Sequence, residues 1–272
     1  MRILLTGAGG FIGRHFAAAL AGEDHEVILA DRTHGVDFNR MLAIGDWLPL
    51  LSCVDAIINC VGIISETRGQ SFAVLHHAAP AALFRASAEA GVRHVVQISA
   101  LGADERAFTP YQLSKRAADD VLRSLPLEWF VLRPSLVYGP GGRSTALFRR
   151  LAALPVIPLP GGGRQLVQPV HVDDLTAAVL ACLHAPAARR TIDVVGPEAM
   201  TFAEWLGHLR SGTRRPAHIV AVPFAWTLTA ARLLGYVLPL LHPDNLRMLE
   251  HGSTAKVQPL AQLLGRMPRA VP

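Results

Sequence analysis

The stretch that most constrains the fold is "RILLTGAGGFIG", residues 2–13. It is a short apolar run broken by glycines and continued by the helix-like text "FIGRHFAAALAG". An apolar run of this length that ends in glycine reads as a buried β-strand. Gly7, Gly10 and Gly13 then permit a tight turn, close backbone approach to a pyrophosphate, and close packing of the following helix. The helix would open at Phe11 and Ile12, presenting unpaired N–H groups and positive dipole to phosphates. The spacing is G-x-x-G-x-x-G rather than G-x-G-x-x-G, so a plain glycine-rich turn is the alternative. A second strand, "HEVILADR", ends in Asp31, at the distance where a carboxylate accepts from adenosine ribose hydroxyls. Asp31 would repel a 2′-phosphate and favour NAD, whereas Arg32 would pair with that phosphate and favour NADP.

Strands and helices continue to alternate. "VDAIINCVG" (54–62) reads as a strand, followed by an Ala-rich helix over roughly 71–90 that closes at Gly91. "RHVVQIS" (93–99) and "LEWFVLRPSLVYG" (127–139) are further strands with a helix between them. Continuous apolar strands between helices predict an α/β fold, a doubly wound parallel sheet with helices on both faces. After about residue 140 Pro and Gly become frequent, which predicts a small, mostly helical C-terminal subdomain. Hydrophobic residues make up 51% and charged residues 17%, which favours a well-buried core over disorder. The net charge of +5 suits an anionic ligand, but no dense Lys/Arg run marks a nucleic-acid track. Cys53, Cys60 and Cys182 are too few and too scattered for a disulfide framework or a zinc site, so no metal is expected. The N-terminus runs straight into a strand without a signal-peptide pattern, which makes a reducing cytoplasm the expectation.

The second informative motif is "TPYQLSK", residues 109–115. Thr109 and Gln112 form a T-x-x-Q capping box, with Pro110 at the favoured first helical position. Tyr111 and Lys115 stand at i and i+4, so they share one helix face. An ammonium beside a phenol favours the phenolate, which predicts a tyrosine pKa drawn down from about 10. The chain holds only two lysines, Lys115 and Lys256, against 24 arginines, and three tyrosines. Chance alone gives a Tyr-x-x-x-Lys about 2% of the time, so the motif stands above background. The alternative is two solvated residues on a helix.

These motifs, with "VDF" at 36–38, "NCVG" at 59–62, "VVQISALGAD" at 95–104, "RPSLVYGP" at 133–140 and "QPVHVDD" at 168–174, resemble the short-chain dehydrogenase/reductase superfamily. The similarity is to its extended and atypical branches, which include NAD-dependent epimerase/dehydratase-like proteins and a group similar to the nucleotide-binding accessory subunit of respiratory complex I. It runs from residue 1 to about 200. The resemblance implies a Rossmann NAD(P)-binding domain over 1–140, to which 168–196 return, interleaved with a substrate or partner subdomain over 141–272. It implies that Asp37, with Phe38 beside it, faces the adenine, and that Val61 and Gly62 line the nicotinamide side. Ser99 would hydrogen-bond the substrate, Tyr111 would be the general acid/base, and Lys115 would bind the nicotinamide ribose. Pro134 and Ser135 would abut the nicotinamide. The sequence departs from the family in the 12-residue interval between Ser99 and Tyr111, shorter than is usual in extended members. It also carries His76 where many members have asparagine; His76 and His77 read as packing or partly exposed residues.

Two functions follow. One is an NAD(P)-dependent oxidoreductase or epimerase/dehydratase-like enzyme that moves hydride between nicotinamide and a carbonyl or hydroxyl carbon of a small substrate. The other is a catalytically silent nucleotide-binding module for assembly or sensing near a quinone-linked membrane complex. In the last third, Asp173 and Asp174 read as helix caps and His171 as structural, while Arg143, Arg164 and Gln168 are candidates for a substrate cleft. The apolar run 219–241 is near spanning length, but Pro223, Arg232 and Pro239 argue for a helix packed on the core or lying at an interface. Docking of a peripheral membrane or a protein partner is its second reading.

Overall fold

The computed structural model describes residues 1–186, 189–210, 217–234 and 242–271. The elements run β1 (Arg2–Thr6), α1 (Phe11–Leu20), β2 (Glu26–Ala30), α2 (Ile44–Trp47), β3 (Ala56–Asn59), α3 (Ala79–Glu89), β4 (His94–Ile98), α4 (Pro110–Ser124) and β5 (Glu128–Pro134). They continue as β6 (Val137–Tyr138), α5 (Arg143–Ala152), β7 (Val156–Pro160), β8 (Leu166–Val167), β9 (Val170–His171), α6 (Val172–His184) and β10 (Arg189–Val194). The last are β11 (Met200–Thr201), α7 (Phe202–Leu209), β12 (His218–Val222), α8 (Phe224–Leu234), α9 (Pro243–His251) and α10 (Gln258–Leu264). Two compact units divide them: Met1–Pro134 with Leu175–Asp193, and Ser135–Asp174 with Val194–Pro272.

The first unit is built on a six-stranded sheet in the order β10-β5-β4-β3-β1-β2. β1 pairs in parallel with both β2 and β3, β3 with β4, and β4 with β5. Ile3, Leu4, Leu5, Ile57, Ile58, Val95, Val96 and Phe130 are all inaccessible to solvent. Successive residues of a strand point to opposite faces, so both faces of this sheet are covered, as expected for a doubly wound fold. The strand order reverses at β1, and a crevice opens outside the C-terminal ends of strands at such a switch point. Just inside that edge, Thr6 Oγ1 donates to Asn59 Oδ1 (2.6 Å) and Asn59 Nδ2 donates to Gln97 Oε1 (2.7 Å). All three side chains are buried. Their mutual pairing satisfies polar groups that would be costly alone and pins the ends of β1, β3 and β4 together.

The second unit packs Tyr138, Ile157, Leu159, Phe202, Trp205 and Leu206 around α7. A capping box starts α7: Thr201 Oγ1 accepts from Glu204 N (3.1 Å) and Glu204 Oε2 accepts from Thr201 N (2.8 Å). The apolar run at 219–241 is not one helix. Its β-branched start, with Ile219, Val220 and Val222, is β12, which pairs in parallel with β7. Pro223 lacks an N–H and ends the strand, and α8 follows; residues 235–241 lie outside the described residues. Among the described residues no helix is long and apolar enough to cross a membrane. Gln168 is also reassigned from the substrate cleft. It is buried, with Nε2 donating to Gly196 O (2.8 Å) and Oε1 accepting from Ala255 N (3.0 Å).

Asp173 and Asp174 do more than begin α6. Arg266 Nη2 lies 2.7 Å from Asp174 Oδ1, and Asp174 Oδ2 accepts from Arg269 N (2.8 Å). Arg269 Nη1 also donates to Asp173 Oδ2 (2.5 Å). The Asp174 side chain is fully buried, whereas Arg266 is 44% exposed. Removing the two partners should therefore have unequal effects. Arg266→Ala strands a carboxylate in the interior and should cost about 3 kcal/mol. Asp174→Asn leaves a guanidinium that reaches water and should cost roughly 1 kcal/mol. Urea unfolding of both variants measures the order; equal losses would contradict this account.

Candidate active site

The turn after β1 is set by close contacts. Gly7 has φ +72°, and a Cβ there would lie 3.0 Å from Cys60 C and Val61 N, the backbone that leaves β3. A Cβ on Gly13 would lie 2.2 Å from Gly7 O, so only glycine lets α1 pack this close to the turn. Gly10 is the N-cap of α1 and provides no side-chain cap, which leaves the first-turn N–H groups at Phe11, Ile12 and Gly13 for an outside acceptor. Gly9 faces Asp31, whose Oδ2 would sit 3.0 Å from a Cβ on Gly9.

The two oxygens of Asp31 have different roles. Oδ1 accepts from Thr33 N (2.8 Å), Thr33 Oγ1 (2.6 Å), His34 N (3.1 Å) and His34 Nδ1 (2.8 Å). Burial raises the carboxyl pKa, but these hydrogen bonds outweigh it and bring it down to about 2. Oδ2 is left toward the glycine turn, where a ribose hydroxyl can donate to it. Next to it, a cavity is lined by Arg32, Gly35, Asp37, Arg40, Met41 and Asp46. Asp37 Oδ1 accepts from Asn39 N and Nδ2. The expectation for Phe38 is corrected: its side chain is core, 4% exposed and edge-on to Trp47 at 5.0 Å between ring centroids.

α4 begins as its sequence predicts. Thr109 Oγ1 accepts from Gln112 N (3.3 Å), Gln112 Oε1 accepts from Thr109 N (3.4 Å), and Pro110 is the first helical residue. Lys115 is 4% exposed, and its ammonium donates to Val61 O (3.1 Å) and Ile98 O (3.0 Å) at the ends of β3 and β4. A Cβ on Gly62 would lie 3.1 Å from Nζ, so glycine makes room for the cation. Burial pushes the ammonium pKa down, against the attraction of Asp119 and Cys60. Pro134 closes β5 and accepts from Leu101 N (2.9 Å).

Three expectations about the chemistry are corrected. Tyr111 is not drawn toward phenolate: burial pushes its pKa up to about 12, and the Lys115 ammonium is held by carbonyls instead. Ser99 has no proton left to donate to a substrate. It is buried, and its Oγ donates to Asp119 Oδ2 at 2.5 Å. Asp119 was missed, although it stands four residues beyond Lys115 on the same face of α4, a spacing visible in the sequence. Ser135 is also committed elsewhere, its Oγ donating to Gln168 O (2.5 Å) and its N to Val194 O (3.0 Å).

His76 is the other residue that sequence reasoning left without a partner. Its Nε2 accepts from Ile63 N (2.9 Å), so Nδ1 carries the proton and donates to Ser114 Oγ (2.9 Å). Ser114 Oγ in turn donates to Tyr111 O (2.7 Å). The imidazole stacks on Phe72 and meets the edge of Tyr111, with centroids 5.0 and 5.5 Å apart. Burial and the Lys115 charge hold its pKa down at about 2.

Two outcomes follow. The unfolded chain takes up a proton at His76 below about pH 6.5, which the folded chain refuses until about pH 2. Stability from this site is therefore full above pH 6.5 and falls with acid by roughly 1 kcal/mol per pH unit. Wild type should lose that much more than His76→Asn between pH 6.5 and 4.5 in urea unfolding; parallel curves would refute it. Separately, Gly13→Ala should destabilise by about 1–3 kcal/mol and weaken NAD(P)H binding, because its Cβ drives the turn away from α1. Gly45→Ala, where nothing lies within 4 Å, is the neutral control.

Comparison with known proteins places this geometry. Residues 3–196 match the model of the NAD dependent epimerase/dehydratase family. The chain is 29% identical over 196 residues to the ceramide reductase of Caulobacter vibrioides, covering 68% of this chain and 61% of that protein. It is 28% identical over 242 residues to the mitochondrial NADH dehydrogenase [ubiquinone] 1 alpha subcomplex subunit 9 of Arabidopsis thaliana, covering 80% and 59%. The chain thus spans less than two thirds of the length of these relatives. The structure of a Citrobacter sp. triphenylmethane reductase complexed with NADP(H) superposes with a TM-score of 0.77 at 18% identity, covering 99% of this chain and 97% of that one. With the family model matched over most of its length, the chain belongs to the NAD dependent epimerase/dehydratase family.

Proposed function

We propose that this protein is an NAD(P)H-dependent reductase of a small carbonyl or related unsaturated substrate. The observation that carries the reading is Lys115, a lysine 4% exposed whose ammonium is held at the ends of β3 and β4, one helical turn from Tyr111. The glycine turn suits a dinucleotide: Gly7 and Gly13 let the turn pack against β3 and α1, Gly10 leaves the first N–H groups of α1 without a side-chain cap, and Asp31 Oδ2 faces Gly9. In this reading Gly7, Gly10, Phe11, Ile12 and Gly13 hold the pyrophosphate. Asp31, Arg32 and Asp37 surround the adenosine, and Val61, Gly62 and Pro134 border the nicotinamide, with Ser135 on the following residue. A bound nicotinamide supplies the hydride.

The chain's own groups handle the proton. A tyrosine pKa near 12 keeps the Tyr111 hydroxyl protonated at neutral pH, which suits proton donation to a nascent alkoxide and hence the reductive direction. Lys115 has three N–H groups and gives two to carbonyls, leaving a third for a ribose or the phenol. NAD and NADP both remain compatible, since Asp31 Oδ2 and the Arg32 guanidinium favour opposite choices.

A second reading has its own support. Ser99 is bound to Asp119 and not turned to a substrate, and the chain resembles the complex I subunit named above. Both fit a silent nucleotide-binding module within a protein complex. In the C-terminal unit, Ile219, Val220 and Trp226 are exposed, the last 72%, and are candidate contacts for a protein or membrane partner.

Turnover separates the two. With NADH and NADPH and a panel of carbonyl and quinone substrates, Tyr111→Phe should lower kcat by at least ~100-fold, the usual contribution of a general acid, and leave nucleotide affinity within about twofold. Equal inertness of tight-binding wild type and variant would select the silent module. Failure to bind either nucleotide would refute both.

A further inference from the structure

At the opposite edge of the parallel sheet from the glycine turn, Glu23 and His25 lie in the connection between α1 and β2, and His184 ends α6. Glu26 N donates to Met1 O (3.0 Å), which sets this connection level with the start of β1. β1 and β2 run in parallel register, so their five-residue length, ~17 Å, separates it from Gly7. The three side chains nevertheless converge. Their ligand atoms, one from each residue, all lie within 4.8 Å of one another. His25 Nε2 is 3.0 Å and His184 Nε2 3.2 Å from the same oxygen, Glu23 Oε2. The two imidazoles face each other at 6.0 Å between centroids.

We propose that Glu23, His25 and His184 form a site for a divalent transition-metal cation of the Zn²⁺ type. Tetrahedral zinc binds imidazole nitrogen and carboxylate oxygen at ~2.0–2.2 Å, which sets neighbouring ligand atoms roughly 3.3 Å apart. The separations from Glu23 Oε2, 3.0 and 3.2 Å, are close to that edge. Independent support comes from His25, whose side chain is only 9% exposed and yet makes no hydrogen bond from either ring nitrogen. A buried polar nitrogen without a hydrogen bond is costly, and the contact with Glu23 does not supply one. Nε2 lies 3.0 Å from a carboxylate oxygen but outside hydrogen-bonding geometry, and a cation shared by the two atoms would satisfy both. Two imidazoles and one carboxylate suit first-row transition metals and not Mg²⁺ or Ca²⁺, which prefer all-oxygen shells. Three protein ligands leave a fourth position for water.

The role is structural. The cation would tie the end of α6 to the α1–β2 connection, 161 residues away in the chain. Stability gained this way depends on metal concentration by mass action. The site is independent of the nucleotide crevice, so its test does not depend on the functional reading.

The full chain, stripped with chelator, is titrated with Zn²⁺ by calorimetry, and Co²⁺ is used as a spectroscopic probe. The site predicts one equivalent of Zn²⁺, a visible ligand-field band with Co²⁺, a higher Tm with Zn²⁺, and no response to Mg²⁺. His184→Ala removes an exposed ligand without opening the core and should weaken Zn²⁺ binding at least tenfold and abolish the Tm shift. Glu23→Gln should do the same, while Tm in chelator and NAD(P)H affinity stay near wild type. If wild type binds no Zn²⁺, or both variants bind it as wild type does, the site is refuted and the cluster is only a pair of histidine–carboxylate contacts.

Discussion

Burying a lysine ammonium in the first unit places demands on everything around it. Removing such a charge from water is costly unless hydrogen bonds and opposing charge compensate. Here the carbonyls of Val61 and Ile98 accept from it, Gly62 leaves it space, and Asp119 attracts it from one turn further along α4. Those carbonyls belong to the chain as it leaves β3 and β4, so the cation links the helix to the strand ends on either side of the site. The Thr6–Asn59–Gln97 ladder holds the same edge from within the sheet. Gly7 then lies against Cys60 and Val61 at a distance no other residue would tolerate.

Much of this was legible in the sequence because it is local. The glycine spacing, the Thr109–Gln112 box with Pro110, and the i, i+4 relation of Tyr111 and Lys115 are short-range patterns whose geometry follows from helix and turn rules. The family resemblance points in the same direction. What could not be read depends on distant pairings. Ser99 and Asp119 meet across 20 residues, and His76 and Ser114 across 38. The direction of the Tyr111 shift was misjudged for the same reason. Spacing alone puts Lys115 near the phenol, but where the ammonium points is decided by carbonyls 54 and 17 residues away. The apolar run at 219–241 misled differently, since hydropathy by itself does not separate a strand, a proline and a helix from one longer helix.

The two edges of the sheet carry different chemistry. At the C-terminal ends of the strands, backbone N–H groups, glycines and a buried cation provide donors suited to an anionic dinucleotide. At the other end of the strands, Glu23, His25 and His184 bring a carboxylate and two imidazole nitrogens within 4.8 Å of one another, a donor set suited to a cation rather than to a phosphate. Anion and cation are thus assigned to opposite ends of the same parallel strands.

The balance between an active reductase and a silent module turns on what Lys115 is for. A purely structural occupant of that space, such as methionine, would fill it without desolvating a charge, and buried ionic groups are often replaced by apolar ones with no loss of stability. The Thr6–Asn59–Gln97 ladder already fixes the strand ends, so the ammonium is not required for register. Its remaining N–H, and its position one turn from a tyrosine that burial keeps protonated, are properties that proton delivery uses and packing does not. Ser99 donates its hydroxyl proton to Asp119 on α4, which takes one donor from the proposed site but leaves Tyr111 and Lys115 in place. On physical grounds these groups favour the proposed reductase over the silent module.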